Sequence, residues 1–394
     1  MARLWNSKGS TRVRVLSVVL VSGFVLSLLL MAHRRTKAHA HAAEIDSRNL
    51  RQTVVVATLD CPLPEHKNAI WCASFQMAWD KLRQDIIGEP IQVPEAQELA
   101  DRLNRSQFPA GSIEKESYYA TAGFVKNGII EQIRKDMAKR FPHEPAPILD
   151  KKYANQSNVI AAYAFLNVSI EFEQPFYTYR EEFGFTDSTG KGAAVTAFCG
   201  HSAKPDSNME RVRNQVEVLH YEKSHYSEHD QFAVDLSRQT RPYQVILAVL
   251  PRCATFAESV RILRERIAAF EKNPDYEKLC KLRPGDSLIV PDVLYRLTHH
   301  FDDLLDKHFG NPKWADVFLS EAMQRIDFTL SRTGVTVRSW SLFEAKSAVP
   351  RCLKFDRPFL ICVQKREPNA TPFFLMWVDN AELLKPYVSG EKGS

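Results

Sequence analysis

The chain has 394 residues, 44% of them hydrophobic and 25% charged, a globular composition with enough apolar mass for one large domain or two ordinary ones. Its net charge of +5 comes from the N-terminus: Arg3, Lys8, Arg12, Arg14, Arg34, Arg35 and Lys37 stand among the first 43 residues without an acid, which leaves −2 for the rest. That balance excludes the basic field that nucleic-acid binding requires.

Residues 15–32, VLSVVLVSGFVLSLLLMA, carry no charge and are flanked by basic residues. At about 1.5 Å per residue they are long enough to cross a hydrocarbon core of roughly 30 Å. They predict a signal anchor behind a basic segment, 1–14, with the bulk of the chain outside the cytoplasm. The alternative is a cleaved signal peptide and a secreted product, with Ala38-His39-Ala40 as the small-residue site. The length of the run and the basic His33-Arg34-Arg35 before that site favour the anchor. Four basic residues before the run and three after it barely orient it. The polar stretch 33–50 reads as a stalk, and a folded domain is expected over 51–390.

Within that domain, 53–59 (TVVVATL) is β-branched and strand-like, and 69–82 is apolar at a helical or mixed period that suits the interior. A helix is predicted over 95–103 behind Pro94, and a longer one over 122–141, where Ile129, Ile130, Ile133, Met137 and Phe141 share a face. Residues 159–172 begin as a continuous apolar run and then alternate, a strand buried first on both faces. Three short strands follow at 216–219, 232–236 and 243–250, which suggests an antiparallel sheet. Thr255 and Glu258 have capping-box spacing ahead of a helix over 255–270. Residues 287–297 read as one strand, and 359–363 with 373–378 as a closing pair. Strands with interspersed helices and no βαβ alternation predict an α+β domain.

The segment 326–358 is the most informative. Ile326, Phe328 and Leu330 alternate with Asp327 and Thr329 as a strand, but beyond Ser331-Arg332-Thr333-Gly334 the small or apolar residues fall on Val335, Val337, Ser339 and Ser341. The change of parity requires a bend at Gly334. A polar loop of about twenty residues then runs to Pro350, a length that is usually functional or disordered.

Four stretches together resemble the serpin family: NVIAAYAFLNVSIEFEQPF (158–176), FAVDLSRQTRPYQVILAVLP (232–251), AMQRIDFTLSRTGV (322–335) and FDRPFLICVQKREPNATPFFLMWV (355–378). They resemble that family's long central strand, its paired strands before a helix, its hinge strand and its C-terminal hairpin. The resemblance spans about residues 120–385. It implies a large central mixed or antiparallel sheet with surrounding helices and an exposed reactive-type loop, the hinge and loop occupying 321–358. It also implies a partner, a serine protease that is trapped when it cuts the loop and the severed segment enters the sheet. Insertion needs small, uncharged residues at every second position, and Val335, Val337, Ser339 and Ser341 meet that need. The implied scissile bond falls near Ser347-Ala348, which would suit an elastase-like pocket, with Lys346 beside it suiting a trypsin-like one.

The same comparison supplies a second reading. Inhibitory members have acidic residues before the hinge glycine, and here Arg332 stands there. After it comes Thr336-Val337-Arg338-Ser339-Trp340 where alanines are expected. A non-inhibitory serpin-fold binding or scaffold protein therefore stays open. Neither reading is enzymatic, since the sequence has no Gly-x-Ser-x-Gly, phosphate loop or dinucleotide fingerprint. No cofactor or metal is expected: His220, His225 and His229 fit no zinc spacing and read as solvated strand-end residues. Seven cysteines form no Cys-x-x-Cys; Cys253 and Cys362 read as buried thiols, and Cys61 with Cys72 as a candidate pair. Asn104, Asn155, Asn167 and Asn369 head glycosylation patterns, although Asn167 falls in a predicted strand.

Overall fold

The computed structural model describes residues 44–142, 158–201, 207–223, 230–332 and 351–388. In chain order the strands are β1 (Glu44–Asp46), β2 (Thr53–Val55), β3 (Asn68–Cys72), β4 (Tyr118–Phe124), β5 (Val159–Ser169), β6 (Tyr177–Thr186), β7 (Gly192–Cys199) and β8 (Glu217–Glu222). They continue with β9 (Gln231–Asp235), β10 (Tyr243–Val249), β11 (Ser287–Pro291), β12 (Val293–His300), β13 (Phe318–Leu330), β14 (Cys352–Lys354), β15 (Phe359–Lys365) and β16 (Phe374–Val378). The longer helices are α1 (Ala73–Lys81), α2 (Gln97–Arg105), α3 (Ile129–Arg140) and α4 (Phe256–Glu271). The strands form a five-stranded sheet, β1-β12-β13-β5-β4, a seven-stranded sheet, β2-β3-β16-β15-β10-β9-β8, and a four-stranded sheet, β14-β11-β7-β6.

The five- and seven-stranded sheets meet through large side chains. Phe328 of β13 stacks on Phe374 of β16 with ring centroids 4.4 Å apart, and the Tyr295 hydroxyl of β12 lies 3.7 Å from Met376 Sδ. On β5 the run Val159–Leu166 is buried on both faces, which is why it reads as a continuous apolar run. Its odd-numbered residues, with Tyr163 and Phe165 the largest, pack under Ile129, Ile133 and Met137 of α3. The same helix covers Met323 of β13.

Most of the expected elements are present. The strands 216–219, 232–236 and 243–250 become β8, β9 and β10 in antiparallel succession. β15 and β16 pair antiparallel from Phe359 opposite Val378. Thr255 Oγ1 accepts from Glu258 N at 3.2 Å, and Glu258 reaches back to Ala254 N at 3.1 Å. The helix over 95–103 forms as a Pro94–Ala96 turn leading into α2.

Several expectations are corrected. The compact unit begins at Glu44, so the last part of the expected stalk 33–50 is folded: β1 pairs parallel with β12, and Ser47–Asn49 form a 3-10 turn. The segment 69–82 is two elements, β3 and then α1, which explains its mixed period. Helix 122–141 starts only at Ile129, because Ala122–Phe124 belong to β4 and Gly128 turns the chain at φ +81°. Strand 287–297 is two strands in different sheets, divided at Asp292. β6 and β7 are absent from the sequence reading: the outer strand β6 runs through Arg180-Glu181-Glu182 at a register shift and shows no clean alternation.

His220 is not solvated. It is buried edge-on to Phe270, 3.3 Å from Arg266 Nη1, and burial pushes its pKa down to about 4. His225 and His229 lie outside the described residues. All seven cysteines are free. The candidate pair is spent elsewhere, Cys61 on Thr58 Oγ1 at 3.2 Å and Cys72 on Ser74 Oγ at 3.0 Å. Cys253 and Cys362 are buried as expected. The Asn104 side chain bonds Trp79 and the backbone of Ile91, whereas Asn369 is exposed in the turn between β15 and β16. The predicted anchor 15–32 lies outside the described residues, among which no helix is long and apolar enough to cross a membrane.

Candidate functional site

The chain between Arg332 and Arg351 leaves one sheet and arrives at another. Gly334, Val335, Val337, Ser339, Ser341, Lys346, Ser347 and Ala348 all fall in 333–350, outside the described residues, so the site is described by its two attachments.

The first attachment is the end of β13. Ile326, Phe328 and Leu330 are buried with at most 3% exposure, the alternation expected from the sequence. Arg332 then turns its side chain away from its own strand. Its Nε donates to Phe176 O at 3.3 Å and its Nη1 to Thr178 Oγ1 at 2.5 Å. Phe176 ends the connection from β5, and Thr178 lies in β6. The guanidinium therefore ties the end of β13 to the β5–β6 connection. Burial lowers the pKa of Arg332, while the Asp292 carboxylate opposes that shift. Neighbouring Cys199 has its thiol pushed up to about 11, chiefly by burial.

The second attachment is tighter. Arg351 and Asp286 form an ion pair at 2.5 Å whose side chains are 2% and 1% exposed. The Arg351 guanidinium also donates to Leu279 O at 2.7 Å and Lys281 O at 2.6 Å, and its backbone N–H reaches Asp286 Oδ1 at 2.9 Å. Beyond it β14 runs parallel to β11, Cys352 opposite Ser287. Burial alone would raise the Asp286 pKa, but the hydrogen bonds from Arg351 and from the Arg283 backbone hold it below its usual value.

A carboxylate with a depressed pKa stabilises the fold above its unfolded value near pH 4 and loses that contribution as pH falls through the folded one. Asp286→Asn should therefore leave the Arg351 charge buried without its counterion and cost about 3 kcal/mol, the low end for breaking a buried pair. Urea unfolding at pH 7 measures the loss. At pH 3, below the unfolded carboxylate's value, that contribution is smaller, and the variant and the native protein should differ less.

The first attachment leaves from the β5–β13 pair. β13 and β5 are neighbours and run parallel, from Phe318 opposite Val159 to Thr329 opposite Ser169, whereas β12 and β13 are antiparallel. A chain that left β13, turned at Gly334 and came back would run antiparallel to β13. Placed between β13 and β5 it would be antiparallel to both, replacing one parallel ladder by two antiparallel ones. Placed between β12 and β13 it would have to lie parallel to β12. Any strand entering the β5–β13 seam would pass beneath α3, which packs on Tyr163, Phe165 and Met323.

Of the features that sequence reasoning missed, the Arg351–Asp286 pair is the plainest. Its partners are 65 residues apart, and a lone Asp after Pro284-Gly285 carries no sign of an ion pair. Among the described residues no group of His, Cys, Asp and Glu could hold a metal ion.

No family model matches the sequence, and no curated protein matches it. Among solved structures the chain is similar to Serpin48 of the insect Tenebrio molitor, with 11% identity and a TM-score of 0.44 over 79% of this chain and 92% of that one. It is similar also to native protease nexin-1 with heparin, with 10% identity and a TM-score of 0.44 over 80% of this chain and 92% of that one. The arrangement expected from the four resembling stretches is met by the strands themselves: β5 beside β13, and β15 paired with β16.

Proposed function

We propose that this protein is a serpin-like suicide-substrate inhibitor of a serine protease, with 333–350 as the bait. The observation that carries the reading is the parallel β5–β13 pair, with β13 leading into the 18 residues 333–350. In this reading the protease serine attacks the carbonyl carbon of Ser347. The Ser347–Ala348 amide breaks, an ester forms, and the serine proton passes through the protease's own base to the leaving Ala348 nitrogen. The segment from Gly334 then enters the seam with Val335, Val337, Ser339 and Ser341 inward and Thr336, Arg338 and Trp340 outward. The Arg351–Asp286 pair holds the other cut end on the four-stranded sheet, so the two ends separate. Ser347 and Ala348 point to an elastase-like partner and Lys346 to a trypsin-like one. We place the bulk of the protein outside the cytoplasm, held to a membrane by 15–32.

A second reading rests on Arg332. Its bonds to Phe176 and Thr178 tie the hinge to the β5–β6 connection, and such a tie slows any insertion that must outrun hydrolysis of the ester. On that reading the protein is a non-inhibitory binding or scaffold protein. Incubating residues 44–394 with a panel of serine proteases decides between them. A protease-sized shift that survives boiling in detergent supports the inhibitor. Cleavage within 343–351 with turnover and no such band sinks it.

A further inference from the structure

β4 is an end strand. It pairs with β5 from Tyr118 opposite Leu166 to Phe124 opposite Ile160, and among the described residues no strand pairs with its other edge. Alternate backbone N–H and C=O groups of such a strand point away from the sheet and can pair with a further strand. Proteins commonly close an open edge with charges or a covering helix. Here a helical segment overhangs it on each face. α3 lies on one: the Tyr119 hydroxyl donates to Asp136 Oδ2 at 3.1 Å, and a Cβ at Gly123 would stand 2.9 Å from Ile129 Cδ1. α1 and the turn Leu82–Ile87 after it lie on the other, where Ala122 and Phe124 pack against Phe75, Trp79 and Leu82.

Between the overhangs lie two cavities of about 490 and 380 Å³. They share Thr121 and Gln132 and follow β4 from Tyr118 to Phe124, so they form one slot along the edge. Its walls are Lys81, Asp85 and Ile86 on one side and Gln132, Asp136 and Arg140 of α3 on the other. The two ends differ. At Tyr118 the cations Lys81, Lys115 and Arg140 face Glu116 and Asp136, and Asp136 is already engaged by Tyr119. Arg140 spends only Nη2, on the carbonyls of Lys115 and Tyr118. Neither Arg140 nor Lys115 has an ion-pair partner among the described residues. Lys81 meets Asp85 at 3.6 Å in an exposed pair, a contact worth little. At the other end Ile86, Phe124 and Trp314 are each partly exposed, and Asp85 is the one charge among the described lining residues.

We propose that the slot takes an extended peptide of a partner protein, added to β4 as a sixth strand in antiparallel register. The peptide carries apolar side chains toward its N-terminal end and carboxylates at its C-terminal end. Antiparallel addition runs it from Phe124 toward Tyr118. Its acids then arrive at Lys81, Lys115 and Arg140, and its apolar residues at Ile86, Phe124 and Trp314. The backbone ladder supplies affinity, and the unlike ends supply direction. A second copy of this chain fits less well, because its own β4 is walled by the same overhangs and two such edges keep each other out. The proposal does not rest on protease inhibition.

The probe is the acetylated peptide Val-Thr-Val-Thr-Val-Glu-Glu, offered to the full chain in detergent. Hydrogen–deuterium exchange should show the β4 amides newly protected at about 1 mM peptide, the weak end of specific binding. Two further peptides carry N-methyl groups on alternate amides, one set each. One should lose affinity at least about tenfold and the other little, because only one edge of an added strand faces β4. The reversed sequence, with its glutamates first, should bind at least about fivefold more weakly. So should Gln132→Trp, which fills the slot from an exposed position of α3, and Lys115→Glu, which reverses an exposed charge; unchanged melting temperatures show that both variants are folded. No protection of β4, equal effects of the two methylations, or undiminished binding by the reversed peptide or by Gln132→Trp overturns the proposal. So does an edge already protected in the chain alone, which assigns it to another segment of this chain or, where protection grows with protein concentration, to a second copy.

Discussion

Nicking the loop between Phe343 and Arg351 is expected to raise the melting temperature by tens of degrees. The intact sheet holds β5 and β13 in a single parallel ladder, and parallel pairing is slightly the weaker per residue. A returning segment would add its own backbone hydrogen bonds on both sides and bury four small side chains, Val335, Val337, Ser339 and Ser341. On the inhibitor reading, strain stored while the loop is whole would be released at the cut. Calorimetry of intact and nicked protein reads the difference directly. Val335→Arg is expected to abolish the gain, because insertion would force an unpaired charge between packed layers. Nicked protein that melts where intact protein does would leave the bait reading without its driving force and favour the binding or scaffold role.

Phe328→Ala should cost about 3–5 kcal/mol, the range for removing a buried aromatic ring. Phe328 is 2% exposed, stacked on Phe374 at an interplanar angle of 18° and 5.9 Å from Tyr295. It thus fills the layer between the five- and seven-stranded sheets, where neither backbone can move inward to close a hole. Set against a total of about 5–15 kcal/mol for a typical domain, that is a large fraction. Urea unfolding should show a lower midpoint with an unchanged slope. A loss below about 1 kcal/mol would mean that the two sheets do not share this layer.

The sequence carried the strands that are buried by their own pattern. β5, β10, β13, β15 and β16 were legible because burial on one or both faces leaves alternation or an unbroken apolar run. So was α4, through Thr255 and Glu258. What was not legible depends on partners far along the chain. β1 is three residues, polar at Glu44 and Asp46, and is a strand only because Arg296–Thr298 lie beside it. The break at Asp292 is invisible in an apolar run, since what divides β11 from β12 is that Val290 pairs with Phe198 while Val293 pairs with Leu330. At the site, the alternation before the hinge and the placing of Phe328 were readable. The bonds of Arg332 to Phe176 and of Arg351 to Asp286 were not, for a charged side chain near a loop reads as solvated until its acceptors are known.

The order of the strands has a consequence for synthesis. β13, β15 and β16 are among the last elements made, yet they occupy the interior of the two larger sheets: β13 between β12 and β5, β15 and β16 between β10 and β3. A nascent chain that has reached residue 317 therefore presents bare edges on β5, β12, β3 and β10, with no partner yet translated for any of them. Such edges are templates for pairing with other chains. At about 5–20 residues per second this exposed interval lasts several seconds on every ribosome. Nonsense or frameshift products ending in that window lack the centre of the seven-stranded sheet, and the shortest lack that of the five-stranded sheet as well. They are expected to go to chaperones, proteases or aggregates instead of accumulating as stable fragments.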